Sequence, residues 1–415
     1  MDIKAKRVSL YKRLGGRHHG HGHAMNKNKV CSFWLEGRCS RNPWSFLHLD
    51  LQPAPQSHKQ YLLAHEDSSV RSKWTWSSPK YNSSKSALNG EAACKDSTQE
   101  AQQKVTKIGE VEGVTVVATC IHGLLAVTGI ALPSGFDKLF SSSNDKSVRL
   151  WDCNTGQCTA VFNLENAIGT LITEGPWVFV GLPNAVKAWN IQADAELTLD
   201  GPSGQVYALV VGNDMLFAGT EDGSILAWKS SFETNYPELA TLLKGHSRAV
   251  ISLVVGVNRL YSGSMDKTIR VWDLQTFQCI QTLNGHADAV MSVLCWDSFL
   301  LSGSLDSTIK VWAATESGNL EVVYEHNEEH GVLALCGIYD ADAKPILLRL
   351  CNDNIVRLYD LPTFIERGRI FSKWEVRAIQ IGPGGLFFTG DATGQLFVWK
   401  LLGETSFRLH ENVFV

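Results

Sequence analysis

No apolar run in this chain approaches the ~18 residues that cross a bilayer, and its first residues hold no apolar stretch of signal-peptide length. A soluble, intracellular protein is expected, in the nucleus, the cytoplasm or both. A paired cysteine framework is also missing. Of ten cysteines, Cys120, Cys279, Cys295, Cys336 and Cys351 fall in strand-like segments, which suits reduced core thiols in a reducing compartment. There is no phosphate-binding glycine loop, nucleophile elbow or His/Glu metalloprotease helix. The Gly382–Gly385 run reads as a turn between strand-like segments. An enzyme is therefore not expected. Acidic residues are scarce at the start of the chain: residues 1–50 carry ten Lys/Arg against Asp2, Glu36 and Asp50. That head is about +7 and the remainder about −11, for a net charge of −4. A basic head suits either a polyanion partner or a merely solvated tail.

What the chain has in abundance is strand-and-turn repetition. Seven times after residue 145 a strand-like segment reaches a Ser/Gly/Asp turn, followed by a Val/Ile/Leu-rich strand ending in an aromatic. The aromatics are Trp151, Trp189, Trp228, Trp272, Trp312, Tyr359 and Trp399, spaced by 38, 39, 44, 40, 47 and 40 residues. A period near 40 with four short strands per unit predicts an all-β propeller, here with seven blades over residues 105–415. Residues 105–118 are expected to supply the outer strand of the last blade, joining the two ends and removing a sheet edge. Two units are clearest. Each opens on Gly-His and runs through Ser-Gly-Ser and a turn Asp to Trp: His246, Asp266 and Trp272 in one, His286, Asp306 and Trp312 in the other. Both keep 20 residues from His to Asp and 6 from Asp to Trp, and both resemble WD40 repeats. A buried relay follows, in which His, a strand Ser/Thr, Asp and the indole N–H satisfy one another. Weaker units use His122, Asp145 and Trp151, or His330, Asp353 and Tyr359. The unit ending at Trp228 keeps Asp222 without an opener His, while Pro183 and Thr393 stand at the Asp position of the other two.

Upstream, residues 1–24 form a basic tail with His18, His19, His21 and His23, and residues 53–104 read as a flexible linker interrupted by Trp74 and Trp76. Between them, residues 25–52 hold a compact Cys/aromatic/His cluster. Set on a Cys-x7-Cys-x4-Cys-x3-His frame, Cys31, Cys39 and His48 fall on ligand positions, accompanied by Phe33, Trp34, Gly37 and Phe46. The segment resembles a CCCH zinc finger. A finger ahead of a WD40 propeller, with Tyr11–Gly16 as a basic N-terminal motif, resembles the plant CCCH zinc finger/WD40 repeat family. The resemblance implies zinc at Cys31, Cys39 and His48. It also implies single-stranded RNA or DNA held by stacking on Trp34 and Phe46, with Lys29, Arg38 and Arg41 on phosphates. The chain departs from the pattern at the third ligand position, which holds Trp44; an indole cannot ligate zinc. Three readings stay open: a three-ligand site, a site completed by another group such as His23, or a relic without metal. Two functions follow. One is an adaptor whose propeller holds a protein partner while its head contacts nucleic acid. The other is a purely protein-interaction scaffold, such as a substrate receptor in a larger assembly, with an inert head.

Overall fold

The computed structural model describes residues 114–401, apart from 124, 134–136, 194, 231–236 and 341. The tail, finger and linker expected over residues 1–104 lie outside the described residues. Among the described residues twenty-six antiparallel strands make six sheets. The first four-stranded sheet spans residues 127–163 and the second, six-stranded, spans 170–243. The third, fourth and fifth, four-stranded again, span 250–283, 290–327 and 332–371. The sixth joins residues 376–401 to the strand Val114–Ile121. The sheets close into a ring through their first strands and, in the second sheet, also through Ala195–Gly212: Val127–Ala131 touches Thr170–Glu174 and Val376–Ile381, Thr170–Glu174 touches Ala195–Gly212, and Ala195–Gly212 touches Val250–Gly256.

The sheet count corrects the expectation of seven separate blades: among the described residues there are six. The units ending at Trp189 and Trp228 share the second sheet, because Trp177–Asn190 and Ala195–Gly212 run on as continuous strands. Their pairing jumps from Ala185↔Asp200 to Pro183↔Gln205, so one ladder serves both units. Neither unit has an opener His with a turn Asp to wall it off. Polar cross-links take that place: the Gly204 N–H donates to Asn184 Oδ1 at 2.8 Å, and Gln205 Nε2 donates to the Gly181 and Val206 carbonyls.

Close approach of neighbouring sheets explains the Ser-Gly-Ser strand ends. A Cβ on Gly263 would lie 2.9 Å from a methyl of Val290, and one on Gly303 would lie 2.5 Å from a methyl of Val332. Glycine there lets a second strand press on the first strand of the next sheet. Hydroxyls then bolt the sheets together, Ser252 Oγ accepting from the Val293 N–H and Ser292 Oγ from the Leu335 N–H. The ring closes where Val114–Ile121 pairs antiparallel with Gln395–Leu401, so the start of the described chain covers what would be an exposed edge.

Candidate functional site

Two sets of residues compete for functional attention: the buried polar relays and the end of the ring where loops gather. In the third sheet the Trp272 indole N–H donates to Ser262 Oγ at 2.9 Å, and that oxygen lies 2.7 Å from His246 Nε2. His246 Nδ1 lies 2.8 Å from Asp266, whose other oxygen accepts from the Thr268 hydroxyl and N–H. The fourth sheet repeats this with Trp312, Ser302, His286, Asp306 and Thr308. With a neutral imidazole every donor finds an acceptor, from indole to serine to histidine to carboxylate. Burial holds His286 below the ordinary histidine range despite the pull of Asp306. Burial alone would raise Asp266, but hydrogen bonds from His246 and Thr268 outweigh it and hold the carboxyl well below its usual range. The histidines of these pairs are buried and the carboxylates nearly so, with each group hydrogen-bonded, which is the chemistry of a structural clamp.

The weaker units solve the same problem with other residues. His122 is fully buried, with Ser141 at 2.5 Å and Ser147 at 3.0 Å; Ser147 passes the relay to Asp145. Burial pushes His122 down to about 4. The unit ending at Tyr359 differs from the sequence expectation. His330 is exposed, and Glu328 stands three residues before Gly331, as His286 stands three before Ala289. Fully buried Arg349 occupies the serine place and pairs with Glu328, which also accepts from the Tyr359 hydroxyl at 3.2 Å. Asp353 pairs with Arg357 at 2.7 Å. An ionic relay thus replaces the neutral one. In the last unit Thr393 is not the acceptor. Asp391, two residues earlier, accepts from the Thr393 N–H and hydroxyl and from the Gln395 N–H, while Trp399 donates to Thr389 at 2.8 Å. In the unit ending at Trp228, Asp222 accepts from Thr220 and Ser224.

The loop-bearing end is the better candidate for function. Turns at the strand ends are stitched to the loop entering the neighbouring strand, for example Met265 N–H to the Ala249 carbonyl at 2.9 Å and Leu305 N–H to the Ala289 carbonyl at 3.0 Å. Beside these loops a bulge recurs, on the first strands at Thr128, Ile251, Met291, Leu333 and Arg377 and, in the second sheet, at Tyr207 of Ala195–Gly212. An unpaired bulge residue is re-aimed out of the ladder. In the third to fifth sheets these residues are apolar and half-buried: Ile251, Met291 and Leu333. Met265 (40 % exposed) and Leu305 (37 %) adjoin them on the stitched turns, and Trp374 (46 %) stands at the entry to the next sheet. Lys373 lies over the Trp374 ring, and Arg377 pairs with Glu375 at 2.9 Å. The result is an apolar arc with a charged, aromatic flank. Sequence reading missed it because the bulge register is not visible in a linear pattern. The signal was the apolar residue just before each turn Asp, Met265 and Leu305, where a solvated turn would carry a polar one.

The proposed finger residues Cys31, Cys39 and His48, with Trp44, and the nucleic-acid contacts Lys29, Trp34, Arg38, Arg41 and Phe46 lie outside the described residues. Among the described residues no cluster of three or more His, Cys, Asp or Glu could hold a metal ion.

A ring of antiparallel sheets with Trp–Ser–His–Asp relays defines a WD-repeat propeller. The WD domain, G-beta repeat family matches residues 115–152, 237–273 and 277–313. Among solved structures, the WD40 beta propeller domain of Doa1 superposes with a TM-score of 0.61, covering 69% of this chain and 97% of that one. At 19% identity this similarity concerns the fold alone. Zinc finger CCCH domain-containing protein 48 of Arabidopsis thaliana is 51% identical, over 98% of this chain and 99% of its own length. Protein 63 of the same plant is 52% identical over 97% of this chain, and protein 17 of Oryza sativa subsp. japonica is 51% identical over 96%. The chain belongs to this plant family of CCCH zinc finger proteins with WD40 repeats.

Proposed function

We propose that the protein is a non-enzymatic adaptor whose loop-bearing end holds a peptide segment of a protein partner. The observation that carries this is the apolar arc of Ile251, Met265, Met291, Leu305 and Leu333, drawn from three successive sheets on a rigid ring. Methionine side chains adapt to varied apolar partners, and these residues recur at equivalent places on neighbouring sheets, whereas single exposed hydrophobics need no explanation. The test is selection of displayed peptides on the described propeller. Selected peptides should lose at least tenfold in affinity with Met291→Asp or Leu333→Asp and keep it with Val161→Asp on an outer strand. Binding indifferent to both arc substitutions would refute the assignment.

A second reading concerns the head, favoured by the CCCH names of the relatives and by the basic charge of residues 1–50. Cys31, Cys39 and His48 are zinc-binding residue types, and Trp44 leaves the set one donor short of the usual four. In this reading the head holds single-stranded nucleic acid by stacking on Trp34 and Phe46. A salt titration with RNA and DNA strands on the full chain separates the cases. A working finger prefers particular strands and loses that preference with Trp34→Ala. A basic tail binds any polyanion and fades steeply with salt.

A further inference from the structure

Three thiols lie on the two sheets that join where the ring closes, with Cys153 and Cys158 near enough to act on Cys120 electrostatically. Cys120 lies on the closing strand Val114–Ile121, while Cys153 and Cys158 bracket the turn between the third and fourth strands of the first sheet. The Cys120 thiol points across that junction and donates to the Gly156 carbonyl at 3.4 Å, in the middle of the turn. Cys120 and Cys158 pack on the same apolar cluster, which spans the first and sixth sheets and includes Trp151 and Leu396. The position of Cys153 in its turn corresponds to Leu274 in the third sheet, which packs on the preceding sheet. Cys153 thus holds the place that meets the preceding sheet in the third-sheet repeat, acts on the Cys120 thiol, and is the exposed member of the three.

We propose that Cys153 and Cys120 are joined as a disulfide under peroxide, fastening the closing strand covalently to the first sheet. The Cys153 sulfur attacks one oxygen of hydrogen peroxide, breaking the O–O bond and leaving a sulfenic acid and water. Cys120 then attacks that sulfur and displaces a second water. Two thiols and one peroxide give one disulfide and two waters. Cys153 is exposed and meets the oxidant first; burial, reinforced by Cys153 and Cys158, pushes the Cys120 thiol up to about 11, so its thiolate is scarce and its attack on the sulfenic sulfur is slow. Burial and the carboxylates of Asp137 and Asp152 raise Cys153 as well, so the bond forms under sustained oxidation and is not a fast sensor.

The closing strand is also the link from the head to the propeller, so the bond would hold that attachment fast. The experiment is non-reducing peptide mapping of the full chain after hydrogen peroxide, with deuterium exchange on the same samples. A Cys120–Cys153 peptide is expected, with amide exchange in residues 114–121 slowed at least tenfold and restored by dithiothreitol. Cys153→Ala and Cys120→Ser should each abolish both effects, and Cys279→Ser should abolish neither. Three outcomes overturn the proposal: sulfinic Cys153 beside a Cys120 thiol, a pairing of either residue with another cysteine, or unchanged exchange after the bond forms.

Discussion

His246, buried, and Asp266, nearly so, meet at 2.8 Å, and the carboxylate also takes the Ser247 N–H and the Thr268 hydroxyl. Removing the acceptor strands several buried donors at once. Asp266→Ala and Asp306→Ala should each cost about 1–3 kcal/mol in chemical denaturation; unchanged unfolding of both would contradict the relay. The relay also predicts a pH dependence. His122 is held at about 4 in the fold against ~6.5 when unfolded. The unfolded chain therefore binds the proton first. Stability should be full above about pH 6.5 and fall as pH drops toward 4, by up to ~1.4 kcal/mol per pH unit for each such histidine. His122→Gln should flatten that slope in denaturation curves taken across the window. Val257 stands apart as a β-branched residue at φ 44°, half exposed on a hairpin tip. Asparagine tolerates that conformation far better, so Val257→Asn should raise stability by about 1 kcal/mol in the same assay.

At the scale of elements, the strand-end glycines fix how closely sheets pack. Gly303 leaves no room for a methyl against Val332, so Gly303→Ala should destabilise by ~1–3 kcal/mol through overpacking, read as a lowered denaturation midpoint. The closing strand has a separate role. A chain starting at residue 123 would bare the Gln395–Leu401 edge and should self-associate in light scattering, whereas one starting at 105 should not. Much of this architecture was legible in the sequence. Trp272 and Trp312 marked strand ends, the His-to-Asp and Asp-to-Trp intervals located two relays, and strand-like residues before 118 suggested closure. The second sheet was not legible. Its continuous strands depend on pairing between Pro183 and Gln205, a tertiary choice without a local pattern. Glu328 and Arg349 were missed because a relay was sought as histidine and serine, and the ionic substitute satisfies the same geometry with different residue types.

At the scale of the whole molecule, a stiff ring presents one end where loops, turns and bulged residues converge. Glycine contacts, hydroxyl bolts and relays hold the sheets, while the bulge positions stand outside the pairing ladder. That is why the arc of Ile251, Met291 and Leu333 could not be read as a site from residue order alone: the three are 40 and 42 residues apart, and only ring closure brings their strands side by side. The most direct measurement is deuterium exchange of the full chain with and without a selected peptide. The account predicts slowed exchange at residues 248–252, 288–292 and 331–335 and at 372–378, with the outer strands Cys158–Asn163 and Pro237–Leu243 unchanged. Protection confined to the outer strands, with the loop-bearing end untouched, would contradict it.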